Sequence, residues 1–278
     1  MRWILVGISI FTVLVLFSFT ESLRESNKIL EQFTSYSKNL GDVEKDLDEL
    51  SKDFHMLTCK FKGTQGIYSR NIFPNNDIAV IWLHGLGGGG KRVFKKLEFY
   101  NIDNKRVSFY LPTANKIITP WRDSGLLNSW FSLSDIVNEN ENNEATRAAK
   151  NLIDYVKCVK QNGNFDKIII GGTSQGGAVV WTAANIYNQV FEDGNVSFLL
   201  ANTWLPVNNN KKDNKFKSEI SLIHNEFDDV VTNETVTKSI EASRQLKNIV
   251  TIHNQTSLHM SNTAEHIEFI HNFIKNKF

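Results

Sequence analysis

The chain has 278 residues, a formal net charge of +1, and 41% hydrophobic against 22% charged residues. That composition suits one large α/β domain with a short appendage, and the near-neutral charge excludes a strong field recruiting nucleic acid. Two cysteines, Cys59 and Cys158, are too few for a disulfide framework and lack metal-ligand neighbours at useful spacing. They could join in one bond but read more simply as two buried or half-buried thiols.

In chain order, Arg2 precedes an apolar run from Trp3 to Phe19, which ends at Thr20-Glu21. A basic residue before such a run marks a secretory signal peptide or an uncleaved membrane anchor, and residues 1–20 are read as one of the two. Either associates residues 3–19 with a membrane. The remainder is then expected in the secretory lumen or outside the cell, as a secreted or membrane-anchored protein, rather than in the cytoplasm. Asn195-Val-Ser, Asn233-Glu-Thr and Asn254-Gln-Thr are glycosylation sequons, but a chain this rich in Asn shows such triplets by chance.

Residues 21–55 carry a different pattern. Phe33, Tyr36, Leu40, Val43, Leu47, Leu50 and Phe54 recur three and four apart, with charged residues on the other faces. That is an amphipathic helical extension. About three heptads is short for an independent coiled coil, so the stripe is expected to lie against the domain that follows; the alternative for residues 33–54 is a homodimer seam.

From residue 56 to 278 strands alternate with helices. Met56–Phe61, Ile78–Leu83, Arg106–Leu111, Lys167–Ile170, Ser197–Leu200, Ile220–Ile223 and Asn248–Ile252 read as strands. Ala145–Val159, Gln175–Val190, Thr235–Leu246 and Thr263–Ile274 read as helices. Ile78–Leu83 is continuously apolar, as a strand buried on both faces must be. The alternation predicts a mostly parallel central sheet with helices on both faces.

Two glycine-rich turns sit at strand ends. Leu83-His84-Gly85-Leu86-Gly87-Gly88-Gly89-Gly90 follows the Ile78–Leu83 strand. Glycines there let backbone amides approach a ligand, and the Leu86 N–H is a candidate oxyanion donor. A phosphate loop would end in G-K-[ST], whereas here Lys91 precedes Arg92 and Val93. Gly171-Gly172-Thr173-Ser174-Gln175-Gly176-Gly177-Ala178 contains G-x-S-x-G between a strand and a helix. A strand-to-helix turn that tight admits only small flanking residues, and it exposes Ser174 beside the free N–H groups of the first helical turn. The Gln175 N–H is the second oxyanion candidate.

A serine nucleophile needs a base, and seven histidines are available. The order serine, acid, histidine favours His259, in the loop before the last helix. His253 abuts a strand, His266 and His271 fall within a helix, and His84 borders the oxyanion loop, so these read as structural. Glu226, Asp228 and Asp229 compete as the acid, and Asp228 and Asp229 divide almost evenly.

L-H-G-L-G, G-T-S-Q-G-G-A, Leu205-Pro206 and H-N-E-F-D-D-V-V together resemble the acyl-protein thioesterase / phospholipase-carboxylesterase family of the α/β-hydrolase fold. So do Leu111-Pro112-Thr113-Ala114 and Ser129-Trp130-Phe131. The resemblance spans roughly residues 77–278 and implies Ser174, Asp228 and His259 as triad, with Leu86 and Gln175 as oxyanion donors. Asn225 stands where that family has Gly, Gly88 and Ser132 where Asp is usual, and Thr173 where an aromatic is usual. The implied activity is cleavage of carboxylic esters or thioesters through an acyl-enzyme, without metal or cofactor, on lipid-modified protein or lysophospholipid. Trp130, Phe131, Trp204 and Leu205 are the expected acyl-channel residues. Other outcomes are a small-molecule carboxylesterase, or a silent, membrane-tethered interaction protein built on the same scaffold.

Overall fold

Ile78–Leu83 is wholly buried because it lies inside a seven-stranded sheet with a helical layer on each side. The computed structural model describes residues 59–70, 76–102, 106–120, 125–133, 143–187, 194–206, 217–259 and 263–277, all within one unit, Lys52–Phe278. The expected signal or anchor over residues 1–20, and the helical stripe from Phe33 to Phe54, lie outside the described residues. No described helix is long and apolar enough to cross a membrane.

The sheet strands are β1 (Thr64–Arg70), β2 (Ile78–Leu83), β3 (Val107–Ala114), β6 (Lys167–Thr173), β7 (Val196–Ala201), β8 (Glu219–Asn225) and β9 (Ile249–Gln255). Their order is β1-β3-β2-β6-β7-β8-β9, with β1 antiparallel to β3 and every other neighbour parallel. A separate antiparallel hairpin is made by β4 (Lys116–Thr119) and β5 (Gly125–Asn128). The helices are α1 (Gly90–Lys96), α2 (Asn143–Asn162), α3 (Gln175–Tyr187), α4 (Asn233–Gln245) and α5 (Ala264–Lys275).

Alternation along β2 divides the core in two. Ala79, Ile81 and Leu83 join a cluster with α2, α3 and α4, through residues such as Leu152, Val180 and Ile240. Ile78, Val80 and Trp82 join the opposite cluster with α1 and α5, through Val93, Ile270 and Ile274. This is the doubly covered parallel sheet expected from the sequence pattern. From β2 the chain crosses to β3 on one side, and from β6 it crosses to β7 on the other. Loops after neighbouring strands therefore diverge at the β2/β6 boundary, opening a crevice at the carboxyl ends where ligands bind in such sheets.

Two sequence expectations need correction. Cys59–Phe61 is irregular rather than a strand, and residues 56–58 lie outside the described residues; the sheet begins at Thr64. The buried–exposed–buried alternation of Cys59, Lys60 and Phe61 imitates a strand for other reasons. Phe61 stacks on Trp130 and Tyr155, with ring centroids 5.6 and 5.3 Å away. Cys59 is not a free thiol but is disulfide-bonded to Cys158 on α2, with Cα atoms 5.8 Å apart.

Candidate active site

Ser174 stands in the turn between β6 and α3 with φ of +52°, in the left-handed region. A non-glycine residue there stores roughly 1–3 kcal/mol of strain and persists only where its surroundings hold it. Here both ends of the residue are pinned. Its N–H donates to the Ala201 carbonyl (2.9 Å), and its carbonyl accepts from the Ala178 N–H (3.0 Å) and the Thr203 hydroxyl (2.7 Å). The flanking glycines are dictated by contact. A Cβ on Gly172 would lie 2.6 Å from the Gly176 carbonyl carbon, and one on Gly176 would lie 2.5 Å from the Leu83 and His84 carbonyl oxygens.

Asp228 occupies the turn after β8. Its side chain is fully buried, whereas Glu226 and Asp229 face solvent. Orientation separates the three acids, since Asp228 alone turns inward. One carboxylate oxygen, Oδ1, accepts the Val230 and Val231 N–H groups at 2.9 and 2.7 Å. The other, Oδ2, lies 2.6 Å from Nδ1 of His259, in the loop after β9. Nε2 of the same ring lies 3.2 Å from Oγ of Ser174. Three side chains separated by 85 positions in sequence therefore form one hydrogen-bonded line at the carboxyl edge of the sheet.

Leu86 is half-buried in the turn after β2, and Gln175 opens α3. Among the described residues, neither backbone N–H donates to another group. Neighbouring amides in the Leu86 turn are occupied: the Gly87 N–H donates to the Asn128 carbonyl and the Gly88 N–H to the Gly85 carbonyl. His84 braces this turn from within. The Ala114 N–H donates to His84 Nε2 at 3.0 Å, which requires an unprotonated nitrogen there and leaves Nδ1–H to donate to the Gly85 carbonyl at 2.6 Å. Burial lowers the His84 pKa to about 4, so the ring is neutral near pH 7.

The four expected acyl-channel residues fall differently. Phe131 and Trp204 are core residues, almost wholly buried. Trp130 is nearly so, and its ring N–H donates to the His84 carbonyl at 2.7 Å. Leu205 is half-buried, with its N–H on the Ser239 hydroxyl. Trp130, Phe131 and Trp204 belong to the core cluster, and Leu205 packs against it. Trp130 and Phe131 are held there by the Gln175 side chain, which sequence reading overlooked. Its Oε1 accepts the Trp130 N–H (3.1 Å), while its Nε2 donates to the Phe131 carbonyl (2.8 Å) and the Ser129 hydroxyl (2.9 Å). The residue after Ser174 thus clamps the Ser129–Trp130–Phe131 segment to α3. The only sequence signal for this was the co-occurrence of S-W-F with G-x-S-Q-G.

The other described histidines have partners or burial of their own, and His55 lies outside the described residues. His271 donates to the Leu97 carbonyl (2.7 Å), His253 packs on Phe269, and His224 bonds Asn233 at 2.7 Å. His266 is wholly buried. Among the described residues, no cluster of His, Cys, Asp or Glu could hold a metal ion.

Comparison with known proteins places the fold in a family. The sequence model of the Phospholipase/Carboxylesterase family matches residues 74–278. No curated protein matches the chain. Among solved structures, SOBER1 of Arabidopsis thaliana superposes with a TM-score of 0.63 at 18% identity, covering 72% of this chain and 98% of its own. Acyl-protein thioesterase 2 of Zea mays gives 0.59 at 16% identity, covering 76% and 98%. The Bacillus cereus carboxylesterase gives 0.56 at 14%, covering 77% and 94%. At these identities the structural likeness establishes the fold.

Proposed function

This chain belongs to the phospholipase/carboxylesterase family, and from that premise we propose that it is a serine hydrolase cleaving carboxylic ester or thioester bonds through an acyl-enzyme. The observation that carries the reading is the hydrogen-bonded line from Ser174 Oγ through His259 to Asp228. Asp228 accepts from His259 Nδ1–H, which leaves Nε2 as the base facing the serine hydroxyl. As Oγ attacks the acyl carbonyl, Nε2 takes its proton, and Asp228 stabilises the imidazolium. The Leu86 and Gln175 amides are the donors for the developing oxyanion, each worth about 10²–10³ in rate where such donors have been removed elsewhere. Collapse of the tetrahedral adduct passes the His259 proton to the leaving oxygen or sulfur. Water, deprotonated by the same ring, then releases the acid and restores Ser174.

The preferred substrate class is an acyl chain on a protein thiol or a lysophospholipid. Its support is apolar surface beside the line: Phe227 and Leu258, each adjacent to a proposed triad member, are 64% and 63% exposed. Burial of Phe131 and Trp204 favours the second reading, a carboxylesterase for short acyl groups. The Cys59–Cys158 disulfide supports residence in an oxidising compartment, lumenal or extracellular, as the Trp3–Phe19 run implies.

A fluorophosphonate probe tests the nucleophile. It is expected to label the wild type and not Ser174→Ala; equal labelling of both removes the serine mechanism. An acyl series from acetyl to palmitoyl, as esters and thioesters, divides the substrate readings. A steady fall in kcat/KM beyond short chains rejects the lipid substrate.

A further inference from the structure

His259 lies in the loop after β9, outside any helix or strand, so its ring position depends on what holds that loop. Besides the Asp228–His259 bond itself, two further bonds among the described residues tie the acid turn to the base loop. One tie is backbone only, from the Glu226 N–H to the Gln255 carbonyl at 2.7 Å, and any sequence could make it. The other requires a particular side chain. Nδ2 of Asn225 donates to the Leu258 carbonyl at 2.7 Å. That carbonyl belongs to the peptide unit joining Leu258 to His259, so the bond acts directly behind the base.

Asn225 is the last residue of β8 and is wholly buried. Its carbonyl accepts the Asp228 N–H at 2.9 Å, and its own N–H donates to Oδ1 of Asn202 at 3.1 Å. Asn202, at φ of +48°, follows Ala201, whose carbonyl holds the Ser174 N–H. One residue therefore touches the turn that carries the acid, the peptide that carries the base, and the strand end that pins the nucleophile. The arrangement is not free of cost. Oδ1 of Asn225 and Nδ2 of Asn202 are buried without partners, and an orphaned polar atom typically costs about 1–3 kcal/mol. Glycine, which the resembling family has at this position, would avoid the Asn225 part of that penalty but could not reach Leu258.

We propose that Asn225 is a positioning residue that locks the base loop to the acid turn and acts on the reaction through His259. The inference rests on the serine-hydrolase reading above. Asn225→Gly and Asn225→Asp both remove the donor; the second keeps the shape. Since misplacing a catalytic group by about 1 Å can cost roughly 10²-fold, each variant is expected to lose about 10- to 100-fold in kcat with KM within about twofold. In a His259→Ala background, the same substitutions are expected to leave the residual rate unchanged. Equal losses in both backgrounds would overturn the proposal, because the effect would not pass through the base.

A readout independent of catalysis accompanies this. Hydrogen exchange at Ser257–His259 is expected to accelerate in Asn225→Gly while β8 and β9 keep their protection. Unchanged exchange in the loop also overturns the proposal. If the wild type takes neither the fluorophosphonate nor any ester, the hydrolase reading fails by itself, and loop exchange still decides whether Asn225 holds the loop.

Discussion

Asp228 and His259 meet at 2.6 Å, and the carboxylate is oriented before the ring arrives, because its other oxygen already accepts two N–H groups of its own turn. The aspartate therefore has no freedom to rotate away from Nδ1. Asp228→Asn keeps the size but offers the ring an N–H or a neutral oxygen, disfavouring the tautomer that leaves Nε2 free for Ser174. The expected loss is about 10³–10⁴-fold in kcat. Asp229→Asn, one position away and facing solvent, is expected within about twofold of wild type in the same ester assay. Comparable losses in the two variants would show that the acid has been misassigned.

The Gln175 side chain makes a separate prediction, because its amide satisfies the Trp130 N–H and the Phe131 carbonyl inside the core. Gln175→Leu retains much of the volume and removes every one of those partners. The Trp130 N–H is left bare, which costs roughly 1–3 kcal/mol, whereas the Phe131 carbonyl keeps the Ser129 hydroxyl at 2.6 Å. A fall in unfolding free energy of about 1–3 kcal/mol is expected in urea titration, with m unchanged. A fall below about 0.5 kcal/mol would mean that the S-W-F segment is held by packing alone.

These two residues also show why parts of the site were legible in advance. Ser174, the proposed nucleophile, could be singled out because the Gly172–Gly176 contact is steric, and sterics leave a local signature. His259, the proposed base, could be singled out from chain order. Asp228, the proposed acid, could not be separated from Asp229, since two adjacent carboxylates differ only in which way the turn points them. Gln175 was noticed for its amide and missed for its side chain, whose partners lie 44 to 46 positions away. Among the strands, β2 was plain because both faces are buried. β1, half-exposed at the sheet edge with the polar sequence TQGIYSR, offers no comparable run. The four-residue strands β4 and β5, with Ile118 and Leu126 exposed, show too little alternation to be found.

The disulfide was equally invisible, because a separation of 99 residues leaves no local pattern. Closing a loop of that length removes unfolded-chain entropy worth about 4–5 kcal/mol in the simplest account. Cys59→Ser with Cys158→Ser is expected to lower Tm by roughly 10 °C, taking about 2–4 °C per kcal/mol for a domain of this size. Esterase activity at 25 °C is expected to persist, since neither cysteine approaches Ser174 along any bonded path described above. Scanning calorimetry with and without reductant checks this. An unchanged Tm in reductant would show that the bond contributes nothing to the folded state.

Acid stability depends on two buried histidines. Burial lowers the pKa of His84 and of His266 from 6.5 to about 4 in the folded chain. The unfolded chain therefore binds protons between about pH 6.5 and 4 that the folded chain refuses, so stability is complete above the unfolded value and falls as pH drops through that window. Each ring carries roughly 3 kcal/mol of this loss once pH is below the folded value. The two differ in what replacing them does. His84 accepts the Ala114 N–H, so removing it disturbs the oxyanion turn. Both ring nitrogens of His266 are buried without partners. His266→Leu is therefore expected to preserve stability at pH 7.5 while halving the steepness of the decline between pH 6.5 and 4. Urea midpoints measured across that range test it: a decline as steep as that of the wild type would mean that the His266 imidazole is solvated and titrates normally in the folded protein.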